Sequence, residues 1–200
     1  AGRDRLEPGV EAHALLAVDR MIAEQRALPA AEGKVSDRHR DRHVDADHAD
    51  LDAVGDMAKA HGIPLIVDST FSTPYLTKPF DHGADVVIHS MTKWFGGHGA
   101  GIGGMVVDSG RFNWAGGNHP LFDEPDSSYH GLRWGHDLPD MLAPLAYILR
   151  MRTGPLRNLG ACISPDNSWT LLQGIETLPL RMERHCENSL AVAKYLKDHP

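Results

Sequence analysis

A buried strand that runs directly into a lysine and a glycine-rich turn is the feature that most constrains the fold of this chain. Residues 86–88, Val-Val-Ile, are typical of a strand that is covered on both faces in a parallel sheet. The segment His89–Lys93 follows, and beyond several glycines Gly104–Val107 has the composition of another strand. Because open α/β sheets bind ligands outside the carboxyl ends of their strands, Lys93 is predicted to lie in a binding crevice.

The neighbours of Lys93 indicate what this lysine could do. A lysine amine loses its proton more readily when it is removed from water, which suits it to Schiff-base chemistry. Ser90 and Thr92 lie close to Lys93 in the sequence and can donate hydrogen bonds to a phosphate group. The alternative is a solvated surface lysine, and the apolar approach and paired hydroxyls argue against it.

A helix and a strand precede this region. Apolar residues recur at helical spacing from Leu51 to Ala60, and Ile63–Val67 is a buried-strand pattern with Asp68 at its carboxyl end. Alternation of helix and strand favours right-handed βαβ units. We therefore expect an α/β fold with a mostly parallel sheet flanked by helices, in which the strands near 63–67, 86–89 and 104–107 are all parallel.

The second half of the chain is predicted to be a long connection followed by helices. Residues 111–140 are rich in glycine, proline and aromatic residues, and we expect the aromatic side chains to anchor this connection by packing. Helices are predicted at Met141–Arg152 and Pro165–Lys197. Pro179 should kink or split the second helix, because proline removes a backbone hydrogen bond.

A longer pattern around Lys93 carries a resemblance to a known family. Asp85 to His98 matches D-x-V-x-H-S-x-T-K-x-x-x-G-H at every fixed position, and Asp68 lies 25 residues before Lys93. In these features the chain resembles the trans-sulfuration family, the pyridoxal-phosphate-dependent enzymes of cysteine and methionine metabolism. Four stretches resemble the O-acetylhomoserine sulfhydrylase (aminocarboxypropyltransferase) branch: residues 96–114, 125–132, 164–181 and 182–189.

The resemblance implies a fold and a division of the chain. The expected fold is the large domain of pyridoxal-phosphate fold type I, and it is expected to be incomplete, because the chain looks like a fragment. Residues 1–50 are an unassigned or poorly ordered N-terminal segment. Residues 51–160 are expected to form part of the cofactor-binding large domain, and residues 161–200 a helical link towards a C-terminal domain that the sequence lacks.

The resemblance also assigns roles to five residues, with pyridoxal 5′-phosphate as the cofactor. Lys93 would form the Schiff base and later move protons. Asp68 would face the pyridine nitrogen and keep it protonated, and Ser90 and Thr92 would bind the phosphate. Thr70 is a further expected cofactor-binding residue. No metal ligand is expected.

The implied activity is a γ-replacement on O-acetylhomoserine. Sulfide or methanethiol would replace acetate and give homocysteine or methionine. The expected partners are therefore a small amino-acid substrate and sulfide or a thiol, and a homo-oligomer (a tetramer in the family) is expected of a complete chain. A catalytically incompetent fragment of the same fold is the alternative, since the family's Gly-Met phosphate loop and ring-stacking tyrosine are not found in this sequence.

Two other classes of function stay open as weaker hypotheses. The run from Gly99 to Gly104 formally matches G-x-G-x-x-G, as in a nicotinamide-dependent oxidoreductase, but that motif must open a helix and here a strand pattern follows. The second class is a metal-binding module in residues 36–50, which contain His39, His43 and His48. Their composition favours a solvated, poorly ordered segment instead.

Composition excludes several other classes. The formal net charge of −7, without a basic stripe, argues against nucleic-acid binding. No apolar run reaches the roughly 20 residues that span a bilayer, and no signal peptide opens the sequence. The two cysteines, Cys162 and Cys186, fit no metal or redox spacing. We therefore expect a cytoplasmic protein with inert thiols.

Overall fold

The computed structural model describes residues 50–199, in which helices surround a small sheet. Most of the N-terminal segment, including the candidate metal ligands His39, His43 and His48, lies outside this part of the chain. The longer elements in order are α1 (Leu51–Ala60), β1 (Ile66–Asp68), α2 (Thr73–Leu76), β2 (Val86–Ser90), β3 (Gly104–Asp108), α3 (Pro120–Asp123), α4 (Ala146–Met151), α5 (Arg157–Leu159), α6 (Pro165–Glu176) and α7 (Leu178–Lys197). Single turns of 3₁₀-helix lie at Pro79–His82, Ser127–Tyr129 and Ala143–Leu145, and a π turn at Arg152–Leu156 joins α4 to α5.

The sheet has the order β1-β2-β3 and is mixed. β1 and β2 are parallel, with Asp68 opposite Ile88, whereas β2 and β3 are antiparallel, with Ser90 opposite Gly104. The prediction that all three strands are parallel is therefore wrong for β3. A parallel return needs a crossover, usually a helix, and residues 91–103 form a turn and an irregular glycine-rich segment instead.

The strand that begins at Gly104 also removes the oxidoreductase alternative. A dinucleotide-binding glycine motif must lead into a helix, whose N-terminus then holds the pyrophosphate. Here the glycines lead into β3.

The antiparallel return of β3 also determines which residues meet at one edge of the sheet. The carboxyl ends of β1 and β2 and the first residue of β3 share that edge.

β2 is the centre of the core because neighbouring strands flank it on both sides. Val86, Val87 and His89 are at most 1% exposed, so both faces of this strand are covered. The apolar pattern that predicted a doubly covered strand is confirmed. β1 is shorter than predicted, and its two terminal residues, Ile66 and Asp68, are exposed.

The connection 111–140 carries an aromatic core of its own. Trp114 stacks on both Phe122 and Tyr147, with ring centroids 4.3 Å and 5.0 Å away. Trp134 is 2% exposed, and its indole Nε1 donates to the Asp126 carboxylate at 2.9 Å. Anchoring of this connection by its aromatic residues is confirmed.

Helices α6 and α7 replace the single predicted helix. Ser164 caps the start of α6 by accepting from the Asn167 N–H at 3.2 Å, and Pro165 occupies the first turn. The helix breaks at Thr177, and Pro179 lies in the first turn of α7, where its missing N–H is tolerated. The predicted split at this proline is confirmed. No helix within residues 50–199 is long and apolar enough to cross a membrane.

Glycines let α6 lie directly on the backbone that follows Lys93. A Cβ on Gly174 would contact the carbonyl oxygens of both Phe95 and Gly96, and a Cβ on Gly96 would lie 2.6 Å from Leu171. Leu171 is 1% exposed and fills the space between this turn and Gly103. Gly96 and Gly174 therefore allow the turn and the helix to approach each other closely.

Gly174→Ala should destabilise the fold although alanine favours a helix by about 1 kcal/mol over glycine. The added methyl meets two carbonyl oxygens that cannot move without shifting the turn, and overpacking of this kind costs about 1–3 kcal/mol. Urea unfolding measures the effect. Gln173→Ala, on the exposed neighbour, is the control and should change stability by less than about 0.5 kcal/mol. A Gly174→Ala variant that is more stable than the unmodified chain would contradict this packing.

Asp126 should make the stability depend on acid pH. Hydrogen bonds from Ser128 and then from Trp134 lower the pKa of Asp126 to about 2. Because the folded pKa lies below the ordinary value of about 3.9, this stabilisation is complete above about pH 4 and is lost as the pH falls through 2. Urea unfolding between pH 5 and 2 should show a shallower loss in Asp126→Asn. Asp140→Asn, at an exposed carboxylate, should follow the unmodified chain.

Candidate functional site

Asp68 presents a carboxylate at the carboxyl end of β1. The side chain is exposed, and its Oδ1 accepts from the Thr70 backbone N–H at 3.0 Å. Hydrogen bonds from the Thr70 side chain, and then from its backbone, lower the pKa of Asp68 below the ordinary aspartate value. This carboxylate is therefore kept in its charged form, in which it can accept a hydrogen bond from a group that approaches the sheet edge.

Thr70 and Ser90 join the ends of β1 and β2. The Ser90 backbone N–H donates to the Thr70 hydroxyl at 2.8 Å, and the Ser69 N–H donates to the Ile88 carbonyl at 3.0 Å. Parallel pairing thus continues past the last residue of β1. The Ser90 hydroxyl itself forms no hydrogen bond within residues 50–199, which leaves it available to a ligand.

Lys93 lies on the turn that leaves β2 at this edge. Its backbone N–H donates to the Ser90 carbonyl at 3.2 Å, and its carbonyl accepts from the Gly97 N–H at 2.8 Å. Both bonds fold the chain back within a few residues of the strand. The Lys93 side chain is exposed, and its amine forms no ion pair with another residue in the described part of the chain.

Thr92 differs from Ser90 because its hydroxyl is already used inside the turn. It accepts from the Gly103 N–H at 3.1 Å and lies 3.3 Å from the Gly103 carbonyl, to which it donates. The same residue lines a cavity of about 320 Å³ between the glycine-rich segment 96–101 and one face of α6. Thr92 therefore closes the glycine-rich segment onto the end of β2.

His89 is a site residue that the sequence pattern included without assigning it a role. Its ring is 1% exposed, and Nδ1 lies 3.1 Å from the Ser69 carbonyl, which can only accept, so Nδ1 carries the proton. Burial lowers the pKa of His89, which favours the neutral ring. A histidine at a core position of a buried strand is the signal that could have found it, since such a ring needs a partner.

The first residue of α2 has an uncommon backbone conformation. Thr73 is fully buried and has a φ of 54°, in the left-handed region that a β-branched residue rarely adopts. Its N–H donates to the same Ser69 carbonyl that His89 contacts, at 3.0 Å. Several bonds on Ser69 thus hold the backbone next to Asp68.

Arg181 on α7 braces the turn from the other side. Its guanidinium donates to the Gly174 carbonyl at 2.7 Å and to the Phe95 carbonyl at 3.4 Å. Burial lowers the pKa of this arginine. It therefore joins the end of α6 to the segment that follows Lys93.

The polar groups at this edge match the chemical groups of pyridoxal phosphate. A charged carboxylate suits a pyridinium nitrogen, an uncommitted hydroxyl suits a phosphate, and an exposed amine suits an aldehyde. The structure brings Asp68, Thr70, Ser90 and Lys93 to one edge of the sheet, with Thr92 engaged in the adjoining turn. Within residues 50–199 no cluster of three or more histidine, cysteine or acidic side chains could hold a metal ion.

Comparison with known sequences supports the same chemistry. Residues 44–200 match the family described as Cys/Met metabolism PLP-dependent enzyme. The chain is 51% identical over 158 residues to the O-acetyl-L-homoserine sulfhydrylase of Leptospira meyeri, covering 77% of this chain and 36% of that protein. It is 48% identical over 154 residues to the homocysteine synthase of Schizosaccharomyces pombe, covering 76% of this chain and 35% of that protein. The chain thus spans about a third of the length of these relatives.

Solved structures show the same relationship. A putative O-acetylhomoserine (thiol)-lyase from Campylobacter jejuni, which carries N′-pyridoxyl-lysine-5′-monophosphate, matches with a TM-score of 0.65 and 40% identity over 76% of this chain and 37% of that chain. Cystathionine γ-lyase from Lactobacillus plantarum matches with a TM-score of 0.52 and 31% identity over 76% of this chain and 30% of that chain. The small mixed sheet flanked by helices is therefore part of an α/β fold that these enzymes share, and the chain belongs to the Cys/Met metabolism PLP-dependent enzyme family.

Proposed function

We propose that this protein uses pyridoxal 5′-phosphate to catalyse γ-replacement on O-acetylhomoserine. Sulfide or methanethiol is the incoming nucleophile, and the product is homocysteine or methionine. The observation that carries the proposal is the meeting of Asp68, Ser90 and Lys93 at one edge of the parallel strand pair. The names of relatives at 48–51% identity support the choice of substrate.

The proposed reaction exchanges one bond at the γ-carbon of the substrate. The C–O bond to acetate breaks, and acetate leaves with the electron pair. A C–S bond forms to the incoming sulfide or thiol, whose proton is released. The α-proton is removed and later returned, so the amino acid is neither oxidised nor reduced.

Asp68 is assigned the pyridine nitrogen of the cofactor. When bound, pyridoxal phosphate withdraws electrons from the α-carbon of the substrate, and it does so best when its ring nitrogen is protonated. The lowered pKa of Asp68 keeps the carboxylate negative at neutral pH, so it can hold that proton by a charge-assisted hydrogen bond. The position of Asp68 at a strand end directs it towards the ligand edge.

Lys93 is assigned both the covalent hold on the cofactor and the proton transfer at the α-carbon. Its exposed amine and its place on a hydrogen-bonded turn are compatible with both tasks. Ser90 is assigned to the phosphate because its hydroxyl has no hydrogen bond within residues 50–199. Thr92 is assigned to the phosphate as well, and it would give up its donation to the Gly103 carbonyl to serve there.

The oligomeric state and the cellular location are part of the proposal. We expect a homo-oligomer and a cytoplasmic location, as the family resemblance implies. The domain division at residues 51–160 and 161–200 is also proposed, with α6 and α7 as the helical link. Because the matched part of the chain covers only about a third of the length of these relatives, turnover by the present 200 residues is expected to be weak.

Lys93→Ala should abolish covalent attachment of the cofactor. The chain is incubated with pyridoxal phosphate, reduced with borohydride and digested, and mass spectrometry locates the pyridoxyl group. The unmodified chain should carry it on Lys93, since this lysine lies on the turn that leaves β2 at the sheet edge. Lys78→Ala is the matched control and should keep the adduct on Lys93. A pyridoxyl group found mainly on Lys78 or another lysine would overturn the assignment.

Asp68→Ala should leave an adduct on Lys93 but reduce turnover by roughly a hundredfold or more. Without the carboxylate the ring nitrogen loses its proton, and the bound cofactor becomes a poorer electron acceptor. Homocysteine formation from O-acetylhomoserine and sulfide gives the rate, and borohydride trapping gives the occupancy. Asp56→Ala, at an exposed position on α1, serves as the control. Equal rates for the Asp68→Ala variant and the control would refute this role.

A further inference from the structure

The Thr70 side chain is bonded within the protein at the point where β1 and β2 end. It is 6% exposed, and its Oγ1 accepts the Ser90 backbone N–H at 2.8 Å. The hydroxyl therefore does not stand open to a ligand as the Ser90 hydroxyl does. A role for Thr70 at the site must run through the residues that it contacts.

The direction of the first bond determines what the hydroxyl can do next. A hydroxyl has one proton to donate, and the Ser90 N–H already supplies the proton of the first bond. The proton of Thr70 is thus free for an acceptor, and donation from this side chain is the first cause of the lowered pKa of Asp68. The Thr70 backbone N–H donates to Oδ1 of the same carboxylate at 3.0 Å. One residue therefore gives Asp68 two donors and ties it to Ser90.

We propose that Thr70 is a positioning residue that fixes the Asp68 carboxylate and the Ser90 backbone relative to each other. It does so by accepting the Ser90 N–H with its hydroxyl and by donating its own backbone N–H to the Asp68 carboxylate. The contacts of Thr70 do not depend on the proposed function, but their role in cofactor binding rests on it. In that function Asp68 contacts the pyridine end of the cofactor and Ser90 contacts its phosphate end. Thr70 would then set the spacing of the two ends without contacting either through its hydroxyl.

The loop around Thr70 has other anchors, so the hydroxyl can be removed without removing the loop. The Ser69 N–H donates to the Ile88 carbonyl at 3.0 Å, and the Ser69 carbonyl accepts from the Thr73 N–H at 3.0 Å. His89 from β2 contacts the same carbonyl at 3.1 Å. A change confined to the Thr70 hydroxyl should therefore be felt mainly by Asp68 and Ser90.

Few charged groups act on Asp68 within residues 50–199, so the pKa of Asp68 can report the loss of the Thr70 hydroxyl. Within residues 50–199, the ionisable group that acts on Asp68 is His89, which faces it from β2. Burial favours the neutral form of His89, so its charge stays small at neutral pH. Lys93 on the neighbouring turn is exposed to solvent, which screens it.

The test compares Thr70→Val, which keeps the shape and removes the hydroxyl, with Thr70→Ser, which keeps the hydroxyl. Carboxyl ¹³C NMR of the cofactor-free chain follows the titration of Asp68. In Thr70→Val the pKa of Asp68 should rise towards the ordinary aspartate value, and the Ser90 amide should exchange faster with solvent. In Thr70→Ser the pKa of Asp68 and the exchange rate of the Ser90 amide should stay as in the unmodified chain. An unchanged titration of Asp68 in Thr70→Val overturns the proposal.

Two further measurements keep the outcome decisive. In the unmodified chain the pKa of Asp68 should lie below the ordinary value and the Ser90 amide should be protected, so a normal titration overturns the proposal even if Thr70→Val fails to fold. With pyridoxal phosphate added, Thr70→Val should bind roughly tenfold more weakly, the loss expected for one hydrogen bond to a charged group. If no variant binds the cofactor but the NMR shifts appear, the proposed function fails and the positioning role stands.

Discussion

The close contact between α6 and the glycine-rich turn is the constraint on which the rest of this structure depends. Gly174 and Gly96 allow the helix backbone and the turn backbone to approach without a side chain between them. Leu171 then fills the remaining space, and Arg181 joins the two backbones by hydrogen bonds. Because the turn is pressed between α6 and the end of β2, Lys93 is held at the sheet edge with its side chain outside.

Two ionisable groups at this edge show how burial and hydrogen bonding act on charge in opposite ways. Asp68 is exposed and receives donors from Thr70, which stabilise its negative form. His89 is buried, and removal from water destabilises its charged form, so its pKa is lowered and the neutral ring is favoured. The edge therefore presents the negative charge of Asp68, and Lys93 leaves β2 at the same edge with an exposed side chain. A positively charged pyridine ring pairs with a negative charge of this kind.

The sequence alone determined much of the local structure. Strand β2, the helix at Leu51–Ala60 and the break at Pro179 were predicted correctly, because periodicity, caps and proline act over a few residues. Family membership was also predicted from the pattern around Lys93, since a chemical signature depends on residue types and spacing. The antiparallel direction of β3 was missed, because the path of a glycine-rich segment depends on what packs against it.

The roles of particular side chains were decided only by the tertiary structure. The family resemblance assigned Ser90 and Thr92 to the cofactor phosphate and Thr70 to cofactor binding without a stated role. The fold separates them, since Thr70 bonds to Ser90 and Asp68, Thr92 bonds to Gly103, and only the hydroxyl of Ser90 stays uncommitted within residues 50–199. Which hydroxyl is satisfied depends on contacts between segments 11 to 20 residues apart, and local sequence cannot specify those. Residue types therefore determined the chemistry, and the packing of α6 and β1 against β2 and its turn decided which atoms can perform it.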